Sequence, residues 1–246
     1  MTHTRTQVVM SLVSGFILGI ALYHLLPHSL LHFSGPDAVH TTVLWLVFGV
    51  VLMVFLLHVF HFHQHDFSGE ATELYDAPRD AAPMHSGGLL GIAIGLVVHA
   101  LVAGVALGAS VRTDVAHHGG ATLAGLGVFL AIMAHKPMDA YSIVGMMRAA
   151  GHDARARTLA NVAFALVVPL TALAAFSGVQ LLGSSQEAVV GRALAFAAGA
   201  FLCISLSDLL PEVHFHSHDR GKLIGAFLVG IGLAYGTFQL ESSLEA

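Results

Sequence analysis

Long apolar runs separated by polar joints set the pattern of this chain. Crossing a bilayer core as helix takes roughly 20 residues. Seven runs approach or exceed that length, at about 7–27, 41–60, 88–110, 119–147, 159–182, 190–211 and 222–240. None shows the short alternating period of a lipid-facing barrel strand. Each is therefore predicted as helix, and the fold class as an all-α, polytopic transmembrane helix bundle of about seven spans. Residues 1–246 read as a single transmembrane domain. The longest joint, 61–87, is polar, carries Gly, Pro, Ser and acidic residues, and has no apolar period. It is expected to be a mobile, His-rich loop.

Two of the runs resemble each other. Residues 15–28 read GFILGIALYHLLPH and residues 199–212 read GAFLCISLSDLLPE. The glycine and the LLP ending align without a gap, pairing His24 with Asp208 and His28 with Glu212. Alternation of spans puts the first of these runs and the sixth in opposite directions, so the repeat is inverted. Inverted repeats mark secondary transporters, whose sites lie near the midplane at the repeat interface.

Composition agrees with a membrane protein. The chain is 56% hydrophobic and 10% charged, against about 25% charged in soluble domains. Its net charge is −5 with His neutral, and its few basic residues form no track for phosphates, so nucleic acid is not an expected partner. The one cysteine, Cys203, can form no disulfide within the chain. The first apolar run has no small-residue cleavage site after it and is read as a retained span. Arg5, Arg79, Arg148, Arg155, Arg157, Arg220 and Lys222 fall on one side of the alternation, and Arg112 and Arg192 on the other. The richer side, with the N-terminus, is expected in the cytoplasm. Seven spans then put the C-terminus outside, in a multi-pass protein of the cell (inner or plasma) membrane.

Candidate chemistry sits inside two spans. His99 is central in GIAIGLVVHALVAGVALGAS, and His135, Lys136 and Asp139 surround Pro137 in FLAIMAHKPMDAYSIVGMM. A Lys or Asp at bilayer depth costs about 2.5–3.5 kcal/mol even on a lenient scale, so these residues imply a protein-lined polar site. Asp139 follows His135 by one helical turn, which puts both on one face. Pro137 lacks an N–H and frees the carbonyl of Met133, a further candidate oxygen ligand. Two imidazoles and a carboxylate suit Zn²⁺, while Fe²⁺, Mn²⁺ and Cd²⁺ overlap in ligand preference. Asp139 neutralising Lys136 is the simpler alternative. Gly104 and Gly108 read first as helix packing, and such small-residue spacing is also compatible with a homodimer. A second group of histidines lies at span ends: His58, His61, His63 and His65 before the long loop, and His214, His216 and His218 after the sixth span. These are candidates for cytoplasmic metal capture.

At these residues the chain resembles the ZIP family of divalent-metal transporters. The run from His99, HALVAGVALG, is similar to the family's fourth helix, H-N-x-x-E-G-x-A-x-G. His135-Lys136 with a nearby proline is similar to its fifth helix, in the branch carrying H-K. AFAAGAFLCISLSDLLPEV is similar to its seventh. The first span, ending HLLP, is similar to the family's second helix, and no counterpart of the first is found. The resemblance departs at the metal site, where family Asn and Glu positions fall on Ala100 and Ala103, and acidic positions on Lys136 and Ala140. A two-metal centre is therefore not expected, and a one-metal centre of His99, His135 and Asp139 is.

The function expected is transport of a divalent ion, zinc foremost, into the cytoplasm by an alternating-access carrier. The ion is cargo; no prosthetic group is expected. Partners are the metal ion and the lipid bilayer. Asp208, Glu212, His24 and His28 are expected along the exit path. The rivals are a non-transporting metal sensor or degenerate transporter, and a membrane-embedded zinc hydrolase using a metal-bound water.

Overall fold

The computed structural model describes residues 3–59, 86–117, 125–215 and 220–244. They form helices joined by short turns at 32–37 and 150–153, with no strand among the described residues. In chain order these are α1 (His3–Ile20), a π-helical turn (Ala21–Leu25), α2 (Leu26–Leu31), α3 (Ala38–Val59), α4 (Ser86–His117), α5 (Leu126–Ala149), α6 (Ala154–Gly178), a 3₁₀ segment (Val179–Ser185), α7 (Gln186–Phe215) and α8 (Arg220–Leu244). α1, the π turn and α2 make one rod. Pro27 explains the π turn: it has no N–H to close a bond to Tyr23, and the Leu26 N–H reaches back to Ala21 instead.

Six rods are long and apolar enough to cross a membrane: Gln7–Leu31, Ala38–Leu56, Ala93–Val115, Ala154–Gly178, Gly183–Leu206 and Arg220–Leu240. α5 is the seventh run expected from sequence, and its His-Lys-Pro-x-Asp segment makes it the least apolar. α6 shows why sequence and fold agree on the span class. Leu159, Leu166, Leu170 and Leu173 are at least half exposed, an apolar surface that suits lipid and would be a liability in water.

Local signals define the joints. Gly151, at φ 80°, ends α5, and the His152 N–H bonds back to the Met147 carbonyl, a Schellman closure. Asp153 then caps α6 by accepting the Ala156 N–H at 2.8 Å.

Four glycines lock a two-fold frame. A Cβ on Gly15 of α1 would lie 2.0 Å from the Phe227 carbonyl oxygen of α8, and one on Gly230 would lie 2.1 Å from that of Leu12. A Cβ on Gly199 of α7 would lie 1.9 Å from the Leu46 oxygen of α3, and one on Gly49 would lie 2.0 Å from that of Phe196. In all four helices the contacted carbonyl belongs to the residue three before the glycine. Gly15 and Gly199 are the aligned glycines of the sequence repeat. The α1–α8 pair and the α7–α3 pair are thus the same contact made twice, and only hydrogen in place of a side chain lets the backbones approach this closely. α1 and α7 run antiparallel, with Ser14 Oγ donating to the Ser205 carbonyl (2.5 Å) and Ser29 Oγ to that of Gly191 (2.9 Å).

The remaining helices, α4, α5 and α6, form the second group. Gly104 and Gly108 of α4 abut Val168, Thr171 and Ala172 of α6, so that spacing serves packing within the chain. The two groups share one core, which includes Ile17, Ile20, Ala103, Val128, Ile132, Phe164 and Phe201.

The frame glycines should be intolerant of even one methyl group. Gly199→Ala is expected to destabilise by about 1–3 kcal/mol through overpacking, whereas Gly145, with nothing within 4 Å of a built Cβ, should accept alanine without loss. Thermal unfolding of both variants in the same detergent checks the contrast; equal midpoints would refute the contact.

Candidate metal centre

His99 comes from the middle of α4, and His135 and Asp139 come from successive turns of α5. Residues 99 and 111 of α4 lie beside 135 of α5 and 125, the residue that leads into α5, so the two helices run antiparallel. The structure brings the three side chains together: one ligand atom from each lies within 4.8 Å of the others. His99 Nε2 is 3.3 Å from His135 Nε2 and 3.8 Å from Asp139 Oδ2. Tetrahedral zinc with bonds of about 2.0–2.1 Å holds its donors roughly 3.3 Å apart, so the first spacing fits a shared ion and the second fits with a small closing shift. All three residues are buried, at 7%, 6% and 9% exposure respectively.

Orientation of the donors is built in. His135 Nδ1–H donates to the Ala131 carbonyl (2.7 Å), one turn back on its own helix. That bond fixes the tautomer and leaves a lone pair on Nε2, facing His99, as outer partners of metal-bound histidines do. The rings of His135 and of Phe201 on α7 meet in a T-shaped contact, with centroids 6.3 Å apart. The ligand-bearing helices therefore meet the frame at the site itself.

Lys136 makes no direct contact with Asp139. No ion pair joins them; the ammonium lies 3.6 Å from the centroid of the Phe164 ring on α6, a cation–π contact. Lys136 Nζ and Asp139 Oδ2 are both buried without a hydrogen-bond partner. Pro137 and Met133 are exposed, on the face of α5 away from His135. The carbonyl freed by Pro137 is therefore on the wrong face to serve as a ligand, which corrects that expectation.

The other expected site residues are dispersed. His24 and His28 lie toward the end of the bundle where Ser29 meets Gly191, whereas Asp208 and Glu212 belong to the far end of the antiparallel α7. The four cannot share one exit path. The aligned positions of an inverted repeat fall at opposite ends, and that is why the repeat misled on this point. Side chains of Asp208, Glu212 and His214 lie outside the described residues, as does that of His58; His61, His63, His65, His216 and His218 lie outside them altogether. Sequence reasoning missed Asp114 at the end of α4, 3.5 Å from His28, and the Phe164 seat of Lys136. Asp114 carried a signal, since it is the only acid in a helix otherwise free of them.

Comparison with known proteins decides the family. Residues 61–236 match the ZIP Zinc transporter family. The chain belongs to the ZIP family. It is 34% identical over 189 residues, 73% of its length, to zinc transporter ZIP9-B of Xenopus laevis, and covers 56% of that protein. Zinc transporter ZIP9 of Micropogonias undulatus is 38% identical over 138 residues, covering 52% of this chain and 42% of the relative. That of Macaca fascicularis is 36% identical over 135 residues, 51% of this chain and 54% of the relative. The chain thus spans about half the length of the curated relatives it matches. A ZIP protein is a multi-pass membrane protein of a transporter family and not an enzyme, which sets the hydrolase expectation aside.

Each ligand should matter to metal affinity. His99→Ala, His135→Ala and Asp139→Asn are each expected to weaken Zn²⁺ binding at this centre by at least about tenfold, since even partners of ligands are worth 10–100-fold. Titration of the purified chain in detergent reads this directly. Unchanged affinity in all three variants would refute the centre.

Proposed function

We propose that this chain carries a divalent metal ion, zinc foremost, across a membrane into the cytoplasm, with His99, His135 and Asp139 as its single central site. The observation that carries the reading is the convergence of these three donors at zinc-like spacing, buried on α4 and α5 where they face the two-fold frame. The names of the curated relatives support zinc as the cargo. Three protein ligands leave a position for water, and a carrier must release what it binds. A closed four-ligand site would favour retention.

The division into a symmetric frame and a ligand-bearing group supports alternating access. Each side of the site has a different lining. Towards His24, the inward residues of α5 are Val128, Ala131 and Ile132, all buried and apolar. Towards the other end α1 buries Gln7, Ser11 and Ser14 at helical spacing, and α7 adds Ser205. A shift of α4–α6 along the frame would trade the dry contact at one end for one at the other. The asymmetry of basic residues favours the Gln7 end as the cytoplasmic one, which supports the inward direction of the proposal.

A second reading has an observation of its own. Ala100 and Ala103, where the family pattern has Asn and Glu, are 1% exposed each and offer no ligand. A member so reduced would bind metal without moving it.

Uptake of Zn²⁺ by reconstituted vesicles separates the two. Wild type should accumulate zinc, and His135→Ala and Asp139→Ala should fall to the empty-vesicle rate. A folded wild type that binds Zn²⁺ and moves none would favour the sensor and overturn the carrier.

A further inference from the structure

Lys136 and Asp139 are opposite charges three residues apart on α5, a spacing at which helical side chains meet. A lysine stem is long enough to bring its ammonium to such a carboxylate. In an apolar bundle that pairing is the simplest compensation for either group. The structure arranges them otherwise. Lys136 Nζ and Asp139 Oδ2 are both buried, and neither has a hydrogen-bond partner. The ammonium lies over the Phe164 ring, 3.6 Å from its centroid. Asp139 Oδ2 is left facing His99 Nε2 at 3.8 Å.

The ring that takes the ammonium is held in place. Phe164 is 5% exposed and belongs to the shared core. Its helix is fixed against α4 by the glycine seam. A Cβ on Gly104 would lie 2.8 Å from the Val168 carbonyl oxygen, and one on Gly108 would lie 2.4 Å from that of Ala172. The two contacts advance in step, so α6 runs parallel to α4. Val168 is four residues beyond Phe164, and Gly104 is five beyond His99. The seam therefore sets the ring at the depth of His99. An aromatic face attracts a cation, and more strongly where water is excluded.

We propose that Phe164 is a positioning residue, whose ring holds the Lys136 ammonium off Asp139 and so keeps the carboxylate open to the divalent ion that His99 and His135 also bind. The proposal rests on the reading of these three residues as the metal centre. Without the ring, the ammonium falls onto Asp139, and an incoming ion must displace a cation that is tethered to the same helix. With the ring, Asp139 is kept as a donor at no such cost.

Zn²⁺ titration of the full-length chain in lipid nanodiscs tests this. Phe164→Leu and Phe164→Met each remove the ring and keep a large apolar side chain. Each is expected to weaken binding about tenfold, the scale of a desolvated cation–π contact. Lys136→Met should bind at least as tightly as wild type. Adding either Phe164 substitution to Lys136→Met should change affinity by less than about twofold, because no ammonium is left to hold. A Phe164 that served packing alone would weaken binding equally with and without Lys136, and that result would overturn the proposal. Wild-type affinity in both ring-less variants would do the same.

A second measurement needs no metal. Thermal unfolding of Lys136→Met, Asp139→Asn and their combination should show larger coupling between the two charges in the Phe164→Leu background than with Phe164 in place. Equal coupling in both backgrounds would overturn the proposal. The expected difference in coupling, beside unchanged Zn²⁺ affinity in His99→Ala and His135→Ala, would uphold the seat of Lys136 and overturn the metal centre.

Discussion

Burying a carboxylate in an apolar bundle is the constraint around which the rest of the molecule is arranged. Asp139 is buried in a bundle whose core is mostly Val, Ile, Leu, Ala and Phe, and a charge in such a place is costly unless something of opposite sign compensates it. Lys136, the cation one turn away, is turned onto Phe164 instead. The groups facing Asp139 are His99 and His135, which are better donors to a metal than permanent counter-charges. Under the proposed function the cargo would supply the carboxylate's compensation, which would couple occupancy of the site to the stability of the packing around it.

That coupling needs two bodies able to hold the site from different sides. The frame of α1, α3, α7 and α8 gains rigidity from direct backbone contact at Gly15, Gly49, Gly199 and Gly230, where no side chain is left to change rotamer. α4 and α6 make an equivalent seam at Gly104 and Gly108. Between the frame and the α4–α6 group the contacts run through side chains on at least one partner, with Phe201 on His135 and the Ile20 and His24 side chains against Gly127. Interfaces of that kind can slide, since the side chains repack while the glycine seams stay closed.

Much of this was legible in the chain. Seven apolar runs fixed the class, because nothing in a span of that length competes with helix once water is excluded. The one-turn spacing of His135 and Asp139 placed two candidate donors on one face, and His99 at the middle of another run is the third side chain that the structure brings beside them. The aligned glycines of the repeat proved to be its structural content: they are the contact points of the frame. What could not be read was anything decided between helices. The Lys136–Asp139 pairing looked natural along one helix, and only α6, with Phe164, offers the alternative. The carbonyl freed by Pro137 was an attractive ligand until the facing of α5 put it on the exposed side. His28 and Asp114 are 86 positions apart, and no local pattern could join them.

The inverted repeat also separates the two ends of the bundle. Aligned residues His24 and Asp208 hold matching places in two helices that run in opposite directions, so they lie towards opposite ends. Along α1 the polar residues divide accordingly: Gln7, Ser11 and Ser14 at one end and His24, His28 and His32 at the other, with Ile17 and Ile20 buried between them. Imidazoles bind a divalent ion where hydroxyls and an amide only solvate it weakly. Under the proposed function, an ion leaving His99, His135 and Asp139 towards the Gln7 end would meet only Ser and Gln, weaker ligands than those it leaves. Such a gradient would not itself drive flux. It would make dissociation faster on the Gln7 side, a step that a carrier binding its ion at the centre must complete in every cycle.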